Sequence, residues 1–192
     1  PPTSAPAQMK PEGTLNIAFK EMGTYGNSIV LTPGQSILYV ASTSGETPLK
    51  IDIDLNIVPQ LVTGWAVDES GSLWTLELQE GVEFHDGWGE MTAEDFLFSM
   101  KESATSGGVG SWFATYQRLF GDEASGAAIV DDYTVTVDTG TPQFDFVPTL
   151  YIMAMTVVSK KNYVDEGEEV AQFQGVGTGP WNFVEENSGE NW

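Results

Sequence analysis

At 192 residues and 41% hydrophobic side chains, the chain can bury one substantial core or two small ones. Acidic residues outnumber Lys and Arg 28 to 7, a formal charge of −21, which argues against nucleic acid or an anionic membrane surface as partner and favours cationic or zwitterionic ligands only weakly. Cysteine is absent, which excludes disulfides, thiolate metal sites and cysteine nucleophiles.

The opening tract Pro1-Pro2-Thr3-Ser4-Ala5-Pro6-Ala7-Gln8-Met9-Lys10-Pro11 reads as a tether of the kind left after a signal peptide or lipid anchor is removed. Thr14 to Phe19 alternates apolar and polar side chains as a half-buried first strand does, and the Gly23 to Asn27 loop with Tyr25 follows. Thr32-Pro33-Gly34-Gln35 combines a capping hydroxyl, a proline at the first helical position and a glutamine at the third. It predicts a helix to about Ser44 that stops at Gly45. Leu49 to Asp54 alternates with period two, predicting a strand. A further strand puts Trp74, Leu76 and Leu78 on one face and Thr75 and Glu77 on the other.

Asp86-Gly87 supplies a turn that accepts positive φ. Thr92 then caps a helix with Asp95 at its third position, and Phe96, Leu97 and Met100 face the core. Thr105 to Gly110 is a glycine-rich loop. Ser111 can cap a helix carrying Trp112, Tyr116, Leu119 and Phe120, which Gly121 to Gly126 ends. Tyr133, Val135 and Val137 alternate as a strand after an Asp131-Asp132 turn, Met153 to Ser159 reads as another strand, and a short amphipathic helix is expected over Val164 to Phe173. The longest apolar stretch, Phe146 to Val158, is interrupted by Pro148 and is too short to cross a bilayer, which needs about 20 apolar residues. Strands and helices alternate without internal repeats, so the fold class is α/β with a mixed sheet.

Gly175-Val176-Gly177-Thr178-Gly179 has the composition of a phosphate cradle, but a nucleotide loop must open a helix and Pro180 to Val184 reads as extended. A tight chain crossing is the better reading. Asp52, Asp54 and Asn56 match the opening of a calcium loop, yet Ile57 stands where glycine is required and Thr63 where the closing glutamate belongs. The single histidine, His85, has no second histidine to join it in a metal site, and no serine stands in a GxSxG or SxxK arrangement. No catalytic constellation emerges, and neither a cofactor nor a resident metal is expected.

The segment from Leu73 through Phe84-His85-Asp86-Gly87 to Thr92-Ala93-Glu94-Asp95 and Met100 resembles the family 5 solute-binding proteins of peptide and nickel ABC importers: an aromatic strand, a hairpin ending in FHDG and a helix opening on TAED. Val58 to Trp65 and Gly177-Thr178-Gly179-Pro180-Trp181 are similar to further elements of that family. The resemblance implies a type II periplasmic-binding-protein-like lobe, incomplete, with an inserted α/β subdomain. Residues 1–13 would be the tether, 14–48 the first part of lobe I, 49–172 the inserted subdomain and 173–192 the return to lobe I. It also implies a monomeric, non-enzymatic protein, periplasmic or extracellular and lipid-anchored as a lipoprotein. Such a protein captures peptides or a similar organic solute and delivers them to permease subunits. Tyr25, Trp112 and Met153 fall at ligand-facing positions in the resemblance. Met153 stands where nickel-binding members hold a chelator's carboxylate with arginine, a bidentate pairing that a thioether cannot make. A nickel chelate, or a sensor or adhesion role on the same scaffold, is the alternative.

Overall fold

Alternating apolar side chains build the centre of the molecule. The computed structural model describes residues 43–105, 113–121, 126–153 and 156–184. Strands β3 (Val62–Val67), β4 (Leu73–Leu78), β5 (Ala127–Asp131) and β6 (Thr134–Asp138) form an antiparallel sheet in the order β3-β4-β6-β5. Trp74 pairs with Val137 and Leu76 with Val135. Directly paired residues share a face, so these four side chains and Leu78 make one buried layer. The two-residue period read from the sequence is thus the register of the core. A separate hairpin joins β1 (Leu49–Ile51) to β2 (Ile57–Pro59).

Helix α1 (Ala93–Thr105) covers the buried layer with Phe96 and Met100, both fully buried, and packs against α2 (Phe113–Phe120) and β5. Leu119 and Phe120 of α2 are buried, and Leu97 packs at the core's margin. From α3 (Phe146–Met153), Phe146 stacks on Trp74 with ring centroids 5.0 Å apart. Pro148 lies in the first turn of α3, where its missing N–H and fixed φ are tolerated. On the far side of α1, Phe98 meets Tyr163 of α4 (Lys160–Glu166) edge-on, and Val158 and Ala171 complete a smaller cluster with α5 (Glu168–Ala171).

Several expectations are corrected here. The strand begun at Leu49 ends at Ile51, because the Asp52 carboxylate accepts from the Asp54 and Asn56 amides and folds the chain back. Ile53, placed in that strand by alternation, is exposed. The described residues of Met153 to Ser159 are not a strand. Met153 ends α3, while 156–159 run extended with their amides taken elsewhere: Val157 by the Glu46 carbonyl and Val158 by the Ser99 hydroxyl. The helix expected over Val164 to Phe173 is split into α4 and α5 at Gly167, whose φ of 84° no right-handed helix accommodates. Tyr133 belongs to the turn before β6 rather than to the strand.

The expected first strand and the Tyr25 loop lie outside the described residues, as does most of the helix from Thr32. Its last described residues, Thr43 and Ser44, are helical and Gly45 is not.

Candidate functional site

The sequence motifs meet at one junction. Residues 82–91 form a hairpin closed by amide donation from Phe84 to the Gly89 carbonyl at 2.8 Å and from Met91 to the Val82 carbonyl at 2.7 Å. At its tip His85–Gly87 makes a single 3₁₀ turn in which Asp86 (φ 58°) and Gly87 (φ 77°) are both left-handed. Asp and Gly are the residues that accept that region most readily. Glu90 anchors the returning arm by accepting from the Gly81 amide and the Tyr133 hydroxyl, each at 2.6 Å. The Tyr133 contact holds the Glu90 carboxyl below its usual range, and Glu90 pushes the Tyr133 phenol up to about 12.

This geometry aims His85 at the glycine segment. Its amide donates to the Gly177 carbonyl at 2.9 Å, and Nε2 lies 2.7 Å from the Gly179 carbonyl. On its other side the segment is bound to the helical residues Thr43 and Ser44. Gly179 N–H donates to Ser44 O at 2.9 Å and Trp181 N–H to Thr43 O at 3.2 Å. A Cβ on Gly177 would stand 2.2 Å from Ser44 O, and one on Gly179 would stand 2.7 Å from Thr43 O. Glycine is required because backbone runs against backbone. Among the described residues no helix follows Gly179, and the tract is bound on both sides by backbone as a chain crossing rather than open as a phosphate cradle.

The threonine-to-aspartate motif forms the second anchor. Asp95 Oδ2 accepts from the Thr92 amide at 2.9 Å, the carboxylate arm of a capping box, and from the Thr92 hydroxyl at 3.1 Å, while that hydroxyl accepts from the Glu94 amide at 3.3 Å. Asp95 Oδ1 accepts from the Lys160 amide at 2.9 Å. One buried carboxylate therefore begins α1 and fixes the entry to α4. A turn further on, Ser99 Oγ donates to Asp95 O at 2.7 Å and accepts from Val158 N at 2.9 Å. These cross-links are invisible to local pattern reading, because 65 and 59 residues separate the partners. The β5 strand, missed in the sequence, pairs Ala127 with Val137 and Ile129 with Val135 across the Asp131-Asp132 turn. That turn beside Ala127-Ala128-Ile129-Val130 was the available signal.

Among the described residues no group of three or more His, Cys, Asp or Glu side chains could hold a metal ion. The Asp52 carboxylate, bonded to Asn56 and to its own loop's amides, is held below the usual range and serves as a turn staple. Of the ligand-facing candidates, Tyr25 and Trp112 lie outside the described residues, and Met153 is the last residue of α3, with its side chain also outside them. The described residues therefore do not bring these three together.

The architecture is that of one mixed α/β piece of a solute-binding protein. Residues 56–192 match the family described as bacterial extracellular solute-binding proteins, family 5 Middle, and the chain belongs to that family. A curated relative, the glutathione-binding protein GsiB of Pectobacterium atrosepticum, is 28% identical over 133 residues. That match takes in 69% of this chain and 24% of the relative. NikZ from Campylobacter jejuni, solved in complex with Ni(L-His), superposes with a TM-score of 0.68 at 19% identity over 88% of this chain and 32% of its own. The oligopeptide-binding protein AppA from Bacillus subtilis, solved with a nonapeptide, gives 0.68 at 22% identity over 87% and 33%. These two likenesses establish the fold, and the chain spans about a quarter to a third of the length of the relatives it matches.

Proposed function

We propose that the chain is part of the substrate-binding component of an ABC importer that captures a peptide or peptide-like organic solute outside the cytoplasmic membrane and passes it to permease subunits. The observation that carries this reading is family membership across residues 56–192, together with the meeting of the hairpin and glycine-crossing motifs at one junction. A peptide-like ligand is favoured over a nickel chelate by Met153, which offers no cation to a chelator's carboxylate. The naming of one relative for glutathione, itself a tripeptide, points the same way. Peptide binders of this kind hold an extended backbone by hydrogen bonds resembling strand addition. Tyr25, Trp112 and Met153 are the residues we assign to the solute. We assign residues 14–48 and 173–192 to the ligand-binding lobe and 49–172 to the inserted subdomain. The protein acts as a monomer, without catalysis, in the periplasm or on the cell exterior.

A two-lobed relative that binds at about 1 µM gains roughly −8 kcal/mol, and half of those contacts would leave about −4 kcal/mol, near millimolar. Isothermal titration of the 192-residue chain with tripeptides is therefore expected to give at most millimolar affinity. Micromolar affinity for nickel–histidine with no response to peptides would overturn the proposal.

A further inference from the structure

We propose that His85 is a positioning residue, a two-point clamp that holds the 177–181 crossing onto residues 43–45 with its imidazole fixed in the tautomer carrying hydrogen on Nε2. His85 reaches both ends of the bend that starts at Thr178, holding Gly177 O with its backbone amide and Gly179 O with its ring. A carbonyl has no proton to give, so Nε2 must be the donor. In the neutral ring Nδ1 then carries the lone pair, and it is buried without a protein partner.

The opposite side of the crossing is held by the backbone bonds of Gly179 to Ser44 and Trp181 to Thr43. Gly177 and Gly179 supply no side chain to reinforce them. The Ser44 and Thr178 hydroxyls at this junction are also buried without a protein partner. With Nδ1 they are three of the five such atoms among the described residues, and such groups weaken a contact. Three segments far apart in sequence thus meet here, with Val176 packed into the core beside them and the imidazole supplying a side-chain bond to the crossing. Loss of the ring donor leaves the Gly179 carbonyl without its bond and loosens the crossing selectively. The inference concerns the mechanics of the chain and stands whether or not the solute reading does.

The test is native-state amide hydrogen exchange on the full 192-residue chain, comparing wild type, His85→Phe and His85→Gln. Phenylalanine keeps a planar ring without a donor, whereas glutamine can present an N–H to Gly179 O. In His85→Phe, exchange at Gly179 and Trp181 is expected to rise about tenfold, with Leu76 and Val135 in the central strands unchanged. His85→Gln should restore protection. Unchanged rates at Gly179 and Trp181, or an equal rise at all four amides, would overturn the clamp. The wild-type imidazole nitrogen spectrum provides a check independent of folding in the variants: the Nε2–H tautomer is expected, and an Nδ1–H tautomer would refute the assignment.

Discussion

Gly177→Ala isolates the backbone crossing on which the junction depends. The added methyl would sit 2.2 Å from Ser44 O and 2.8 Å from Gly45 Cα, against backbone atoms that have no rotamer by which to yield. Relief requires the two segments to part by roughly 1 Å, an overpacking cost of about 1–3 kcal/mol. That displacement also stretches the Gly179–Ser44 and Trp181–Thr43 bonds, each contributing about 0.5–1.5 kcal/mol. The expected loss is therefore about 2–6 kcal/mol, a large share of the 5–15 kcal/mol typical of a domain. Urea unfolding followed by tryptophan fluorescence measures it, provided the denaturant slope is the same in both proteins. Gly81→Ala is the control, since a Cβ there meets nothing within 4 Å and only the φ of 74° opposes it, at about 1–2 kcal/mol. A Gly177→Ala loss no larger than that of Gly81→Ala would refute the steric account.

Two other predictions address the anchors. Asp95→Asn keeps the shape but replaces one accepting oxygen with a donor facing an amide, and should destabilise by about 1.5–3 kcal/mol in the same unfolding assay. A change within 0.5 kcal/mol would show that the capping box and the Lys160 tie are dispensable. The Tyr133–Glu90 contact should give a signed pH response. The folded Tyr133 phenol is raised to about 12, so the unfolded chain loses its proton first, and this contribution to stability disappears as pH climbs from 10 towards 12. Glu90 is lowered, so its contribution is present above the ordinary carboxylate range and lost as pH falls below it. Tyr133→Phe should shrink the late-titrating part of the phenolate absorbance titration by one phenol, leaving that of Tyr163, which burial also raises, and should flatten the alkaline limb. An unchanged titration curve would contradict the assignment.

Legibility of the sequence followed the range of the interactions. The β4 face of Trp74, Leu76 and Leu78, the Asp86-Gly87 turn and the Thr92–Asp95 cap are set within a few residues, and each is found as read. The glycine tract was separable from a phosphate loop because the residues after Gly179 carry no helical pattern. Met153 to Ser159 misled because a β-branched apolar run fits both a strand and a buried extended segment. Its amides are claimed by Glu46 and Ser99, and only the tertiary structure reveals that. Gly167 divided a helix that amphipathic spacing had left whole, since periodicity registers side chains and not a positive φ. For the site, the His85 contact with Gly179 spans 94 residues and no local rule reaches it. Tyr25 and Trp112 rest on resemblance, outside the described residues.

Nuclear magnetic resonance titration of the tryptophan indole signals tests the solute reading most directly, adding trialanine, glutathione and nickel–histidine in turn to the 192-residue chain. The account predicts that the Trp112 indole shifts with the peptides, saturating in the millimolar range, near −4 kcal/mol, and does not respond to the nickel chelate. Peptide-induced shifts elsewhere that leave the Trp112 indole silent, or tight saturation by nickel–histidine, would contradict it.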